Sequence, residues 1–233
     1  MKIQIARPYI DKDDIEGVVE VLESGWLSLG PKYKEFEEKL AEYVGVKYAC
    51  VVSSGTAALH LGVRALGLKS GDEVITSPFS FVASSNCLLY EGVKPVFVDI
   101  EETTFNIDPS LIEQAITKKT KAILPIHIFG QSAEMDEIMR VAKKYKLKVL
   151  EDSCESLGAT YRGKMVGTTG DIGTYAFYPN KQMTTGEGGM IITDSKELYD
   201  LCDSMRNQGR SENGDWLIHE RLGYNYRLDE MSA

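Results

Sequence analysis

The chain has 233 residues, 43% of them hydrophobic and 26% charged, with a formal net charge of −9. That composition fits a globular protein of one large domain, or one domain plus part of another, with a sizeable core. The acidic balance, without a long basic run, argues against nucleic acid or an anionic membrane surface as the main partner.

Residues 1–45 read as a helical arm. Two helices, about 11–24 and 32–43, are joined by Ser24-Gly25-Trp26-Leu27-Ser28-Leu29-Gly30-Pro31. Residues 46–233 then follow a strand, turn, helix rhythm. An apolar β-rich run at 48–53 leads into Gly55-Thr56-Ala57 and a helix with Leu59, Val63 and Leu66 on one face. A short strand at 74–76, a helix over 81–90 and a strand at 95–100 come next. Asp108-Pro109 supplies an N-cap and an N1 proline for another helix. A strand at 122–126, a helix capped by Ser132 and running to Tyr145, and a strand at 148–150 complete the series. Such alternation predicts an α/β fold, with a mostly parallel sheet covered by helices on both faces. The rhythm changes after that: 171–177 and 190–193 read as strands joined by a loop. No internal repeat or low-complexity segment is visible.

Cys50, Cys87, Cys154 and Cys202 are widely separated and lie in apolar or helical stretches, as buried thiols in a reducing cytosol would. Three histidines and no His/Cys cluster at ligand spacing speak against a zinc site, so no metal is expected. No apolar run reaches membrane-spanning length, and Met1-Lys2-Ile3-Gln4 is too polar for a signal peptide, which points to the cytoplasm. The last residues, Leu228-Asp229-Glu230-Met231-Ser232-Ala233, read as the first turns of an unfinished helix without a stop signal. The expectation is a chain cut before a second, C-terminal small domain.

The chemistry centres on Lys181. It follows Tyr175-Ala176-Phe177-Tyr178-Pro179-Asn180 and precedes Gly186-Glu187-Gly188-Gly189. Aromatic and small neighbours disfavour the ammonium form, so a nucleophilic amine is expected. The apolar pair Val149-Leu150 runs into Glu151-Asp152-Ser153, placing an acid at a strand's end. A carboxylate ~4 Å from a protonated pyridine nitrogen gains roughly 4 kcal/mol at an effective dielectric near 20, enough to keep the ring protonated. Amine and acid together suggest pyridoxal phosphate (PLP) chemistry. Taken alone, Asp152 reads better as a helix N-cap after a strand. Ser53-Ser54-Gly55-Thr56-Ala57-Ala58, where a strand meets a helix, suits an anion such as phosphate, though taken alone it reads first as a plain N-cap. Phe81 could stack on a planar ring or be ordinary core.

These stretches together resemble the DegT/StrS sugar aminotransferases of PLP fold type I. The resemblance is carried by Ser54-Gly55-Thr56-Ala57-Ala58-Leu59-His60, Gly71-Asp72-Glu73-Val74-Ile75, Pro95-Val96-Phe97-Val98-Asp99-Ile100, Asn106-Ile107-Asp108-Pro109, Glu151-Asp152-Ser153, Gly170-Asp171-Ile172-Gly173, Phe177-Tyr178-Pro179-Asn180-Lys181 and Gly223-Tyr224-Asn225-Tyr226-Arg227-Leu228-Asp229-Glu230. It covers nearly the whole chain, in the right order. It implies that Lys181 holds PLP as a Schiff base and then moves protons. Asp152 would pair with the ring nitrogen, Phe81 would stack on the ring, and Gly55, Thr56 and Ala57 would bind the phosphate. Asn225 would reach the phosphate in a neighbouring subunit, so a homodimer with shared sites is implied.

Two positions depart from the common pattern. Ala176 stands where the family commonly has a phosphate-binding serine. Glu155 stands where many relatives carry glutamine or histidine, and it suits the perosamine-synthase branch. The resemblance implies transfer of an amino group from L-glutamate to a nucleotide-linked 4-keto-6-deoxy sugar, as in polysaccharide and lipopolysaccharide O-antigen biosynthesis. Trp26 and Gly30-Pro31 would line the sugar-nucleotide entrance, or form a turn with a buried tryptophan. Amination at C3 stays open, as does a non-catalytic, regulatory or inactive form. Dehydratases of the group replace the lysine with histidine, so Lys181 points away from them.

Overall fold

Asp11 opens the first helix by a reciprocal arrangement, accepting the Asp14 N–H while the Asp14 side chain accepts its own. The structure, a computed structural model, describes residue 4 and residues 6–211 and 218–233. Of the polar start read above, Met1-Lys2-Ile3 lies outside the described residues. Helix α1 (Lys12–Ser24) buries only Val21, whereas α2 (Pro31–Val44) buries Tyr33, Leu40, Ala41 and Val44.

The remaining elements alternate: β1 (Tyr48–Val52), α3 (Gly55–Ala65), β2 (Glu73–Thr76), α4 (Ala83–Leu89), β3 (Lys94–Phe97), α5 (Pro109–Ala115), β4 (Thr120–Leu124), α6 (Met135–Tyr145) and β5 (Lys148–Asp152). A two-stranded hairpin, β6 (Thr160–Tyr161) and β7 (Lys164–Met165), precedes β8 (Ile172–Ala176), β9 (Gly189–Thr193) and α7 (Lys196–Arg206). Among the described residues these build a seven-stranded sheet of order β1-β9-β8-β5-β4-β2-β3. Its pairs are parallel except those of β9, which runs antiparallel to both β1 and β8. The reversal follows from the lysine-bearing loop, which joins β8 to β9 without a crossover helix.

Alternation along the strands divides the core. Cys50 and Val52 of β1 pack with α3, α4 and α7, while Ala49 and Val51 pack with α2. Ile75, Ile123 and Val149 face α5 and α6. The sheet is therefore covered on both faces, as expected. Arg206 is buried and bonds Glu37, Asp203 and the Val51 carbonyl (2.6 Å) under the Tyr33 ring, tying α7, α2 and β1 together.

Three local expectations are corrected. Ser132 does not cap α6: its hydroxyl donates to the Ala133 carbonyl, and Glu134 precedes the helix without a side-chain cap bond. The segment after Leu228 is not helical. It is a turn in which Asp229 accepts the Ser232 N–H and hydroxyl, both at 3.0 Å, the N–H bond having the spacing of a helix N-cap. Trp26 is exposed, with its ring N–H on the Ser28 carbonyl. Helix α7, absent from the sequence reading, starts at a Ser195 cap.

Candidate active site

The carboxyl ends of β1, β2, β4, β5 and β8 all deliver their following residues into one cleft of about 420 Å³. This is the face where open α/β sheets gather ligands. Lys181, Asp152, Glu155, Gly55, Thr56 and Phe81 all line it. Ala57 and Asn225, also singled out from sequence, are not among the lining residues.

The Lys181 side chain is 15% exposed and its Nζ donates to Glu155 Oε1 at 3.1 Å. The lysine is thus not enclosed by aromatic and small residues alone, because a carboxylate meets it directly. Glu155 Oε2 in turn accepts the Phe129 N–H at 3.1 Å. Phe129 holds φ 52, a left-handed conformation unfavourable for its side chain.

Asp152 is buried at the end of β5, with Ser84 donating to Oδ2 at 2.6 Å and the Cys154 N–H to Oδ1 at 3.2 Å. It is not a helix N-cap. Burial, reinforced by the Asp152 charge, pushes the neighbouring Cys154 thiol well above its usual range.

Helix α3 begins at the cleft, and Ser54 is its N-cap, accepting the Ala57 N–H at 3.1 Å. Ala57 has therefore spent its N–H inside the cap. Gly55 and Thr56 occupy the first two helical positions, whose N–H groups have no partner within a helix. A Cβ on Gly55 would stand 2.7 Å from Ala176 Cβ, and one on Gly189 2.4 Å from the Ser54 carbonyl oxygen. These glycines let β8 and β9 pass directly beneath the start of α3.

Sequence reasoning missed the supports behind these groups. Glu151, fully buried, accepts the Gly167 and Thr169 N–H groups at 3.1 and 2.7 Å and faces His127 Nε2 at 3.0 Å. His127 Nδ1 accepts the Ala133 N–H, so Nε2 carries the proton toward Glu151. The Glu151-Asp152 pair was the available signal, since a buried glutamate requires donors.

The donor set suits PLP: an amine for its aldehyde, a buried carboxylate for its ring nitrogen and a helix N-terminus for its phosphate. Comparison with known proteins agrees. The model of the DegT/DnrJ/EryC1/StrS aminotransferase family matches residues 8–233, and the chain belongs to that family. It is 44% identical over 232 residues to the GDP-perosamine synthase of Escherichia coli O157:H7, covering 99% of this chain and 64% of that protein. An aminotransferase structure from Psychrobacter cryohalolentis superimposes with a TM-score of 0.94 at 37% identity, over 97% of this chain and 60% of that one. A GDP-4-keto-6-deoxymannose-3-dehydratase variant with bound GDP-perosamine gives 0.93 at 33% identity, over 98% and 65%. The chain spans about 60% of the length of the curated relatives it matches.

Proposed function

We propose that this chain carries the PLP-binding part of a nucleotide-sugar aminotransferase. L-Glutamate would be the amino donor and a nucleotide-linked 4-keto-6-deoxy sugar, of the perosamine-synthase kind, the acceptor. The observation that carries the reading is the meeting of Lys181, Asp152 and the start of α3 in one cleft.

PLP, when bound, supplies an aldehyde that condenses with amines and a ring that accepts the electron pair released at the substrate carbon. The protein's residues supply the rest. Lys181 Nζ is the covalent anchor and, once released, carries the proton removed from the donor's α-carbon. Glu155 Oε1 holds that amine at the cleft wall between events. Asp152 would accept the ring N–H and so keep the ring protonated. Phe81, 74% exposed, offers a free aromatic face. Gly55 and Thr56 offer backbone N–H groups to the phosphate.

Asn225 is exposed, bridges to Asn207 and does not line the cleft of its own chain. In this reading it completes the phosphate site of a second copy, making the working enzyme a homodimer. The arm of residues 1–45 and the PLP-binding domain of 46–233 belong to the same proposal, as does a cytoplasmic location. Among the described residues no helix is long and apolar enough to cross a membrane.

The test is spectroscopic. Protein supplied with PLP should show a visible absorbance band that Lys181→Ala abolishes. Glutamate should bleach the band, and the correct nucleotide keto sugar should restore it. Pure protein that shows no band with excess PLP would overturn the reading.

A further inference from the structure

A single hydroxyl joins the first turn of α4 to the end of β5. Ser84 Oγ stands 2.6 Å from Asp152 Oδ2, 2.8 Å from Ser80 Oγ and 3.2 Å from the Phe81 carbonyl oxygen. A serine has one proton to give. The carboxylate is the nearest and the only charged acceptor of the three, so Ser84 donates to Asp152. Its oxygen is then free to accept from Ser80. The Phe81 carbonyl does not need this proton, because it already receives the Ser84 N–H at 3.2 Å. The result is a directed chain, Ser80 to Ser84 to Asp152, in which each bond polarises the next.

The surroundings give this chain a purpose beyond packing. Ser84 is 1% exposed and Asp152 6%, so water does not readily substitute for either partner. Oδ1 is held by the Cys154 N–H, and Oδ2 by Ser84. The two donors together set the rotation of the carboxyl group. Phe81 lies between the two serines in sequence. One turn therefore supplies both the aromatic face and the grip on the acid, and Ser80, Phe81, Ser84 and Asp152 all line the cleft.

We propose that Ser84, backed by Ser80, is a positioning residue that holds the Asp152 carboxylate toward the cofactor's ring nitrogen. The inference rests on the reading of this cleft as a PLP site. Without the Ser84 hydroxyl, one carboxylate oxygen loses its donor in a dry site and the group turns, weakening its grip on the ring N–H.

The experiment compares two ligands by equilibrium dialysis: PLP, and an analogue with carbon in place of the ring nitrogen. Ser84→Ala should weaken PLP binding by roughly 10-fold, the scale of one lost hydrogen bond to a charged group. The analogue has no ring N–H to grip, so its binding should change less than about 2-fold in the same variant. Ser84→Thr, which keeps the hydroxyl, should restore wild-type behaviour. Ser80→Ala should give the same selective loss on a smaller scale, and it serves if Ser84→Ala does not fold. Equal losses for both ligands, or no loss for PLP, would overturn the proposal. Wild-type protein that binds neither ligand would instead overturn the PLP reading itself.

Discussion

Glu230 caps helix α2 from the far end of the chain. Its Oε1 accepts the Gly30 N–H at 2.7 Å and its Oε2 the Lys32 N–H at 2.9 Å, across 200 and 198 residues. Gly30 sits at the N-cap position, where it has no side chain to do this itself. A Cβ there would meet Trp26 Cδ1 at 2.6 Å and Glu230 Oε2 at 2.7 Å, so the glycine makes room for its own replacement cap. Glu230 is buried, and a carboxylate at a helix N-terminus also meets the favourable end of the dipole. Glu230→Ala should therefore lower stability by about 1–3 kcal/mol. Glu230→Gln, which keeps one acceptor oxygen, should lose less. Urea unfolding followed by circular dichroism measures both, and a Gln variant as unstable as the Ala variant would mean that one amide oxygen cannot cap and that the charged, two-oxygen carboxylate carries the whole effect.

Ala176 faces Gly55 at the base of the proposed phosphate site, where a serine would bring a hydroxyl beside the first turn of α3. Ala176→Ser should tighten PLP binding by about 3- to 10-fold, one neutral-to-charged hydrogen bond partly offset by the serine's lost freedom. Pyridoxal, which lacks the phosphate, should bind equally to both proteins. A parallel gain for pyridoxal would show that the hydroxyl acts elsewhere in the cleft.

Gly189 has the opposite sensitivity. An added Cβ would sit 2.4 Å from the Ser54 oxygen and 2.7 Å from the Gly55 nitrogen, both backbone atoms that lack the freedom of a side-chain tip. Gly189→Ala should push the start of α3 away from β9, destabilising the fold by about 1–3 kcal/mol. It should also weaken PLP more than pyridoxal, because the displaced groups are those proposed to bind the phosphate. Calorimetry and the two binding constants together test this, and undiminished PLP affinity would place the phosphate somewhere else.

The fold was legible wherever one strand or helix carried its own pattern. The apolar runs of β1 and β4, the Asp108-Pro109 start of α5 and the loop between β8 and β9 all signal locally, and the family motifs order them. What stayed hidden depends on partners remote in sequence. Nothing around Glu230 announces that it caps Gly30, and nothing around Ser84 announces Asp152. Ser132 failed as a cap because α6 starts only at Met135, which puts Glu134 and not Ser132 at the cap position. Glu155 was noticed as a departure from pattern, yet its bond to Lys181 exists only once the two loops meet. That Lys181 and Asp152 line one cleft could be expected from their chemistry, whereas the acid that Lys181 bonds directly, Glu155, could not.

Glu91 offers a test of acid sensitivity away from the cleft. It gathers His60 Nε2 (2.8 Å), Arg64 Nη1 (2.9 Å) and the Tyr224 hydroxyl (3.2 Å), which anchors the segment bearing Asn225 to helices α3 and α4. Burial works to raise its carboxyl, but the hydrogen bonds from His60 and Arg64 and their charges outweigh it, so the group is held below its ordinary value of 4.5. A depressed folded value means that the folded protein resists protonating this group more than the unfolded chain does. Its stabilising contribution is therefore fully present above pH 4.5 and is lost as pH falls through the lower, folded value. Glu91→Gln keeps an acceptor but removes the titration. Wild-type protein should be the more stable of the two near neutral pH, and the gap should narrow steadily once the pH drops below 4.5. Urea midpoints measured across that range decide it, and a gap that stays constant down to strongly acid pH would show that Glu91 does not carry this linkage.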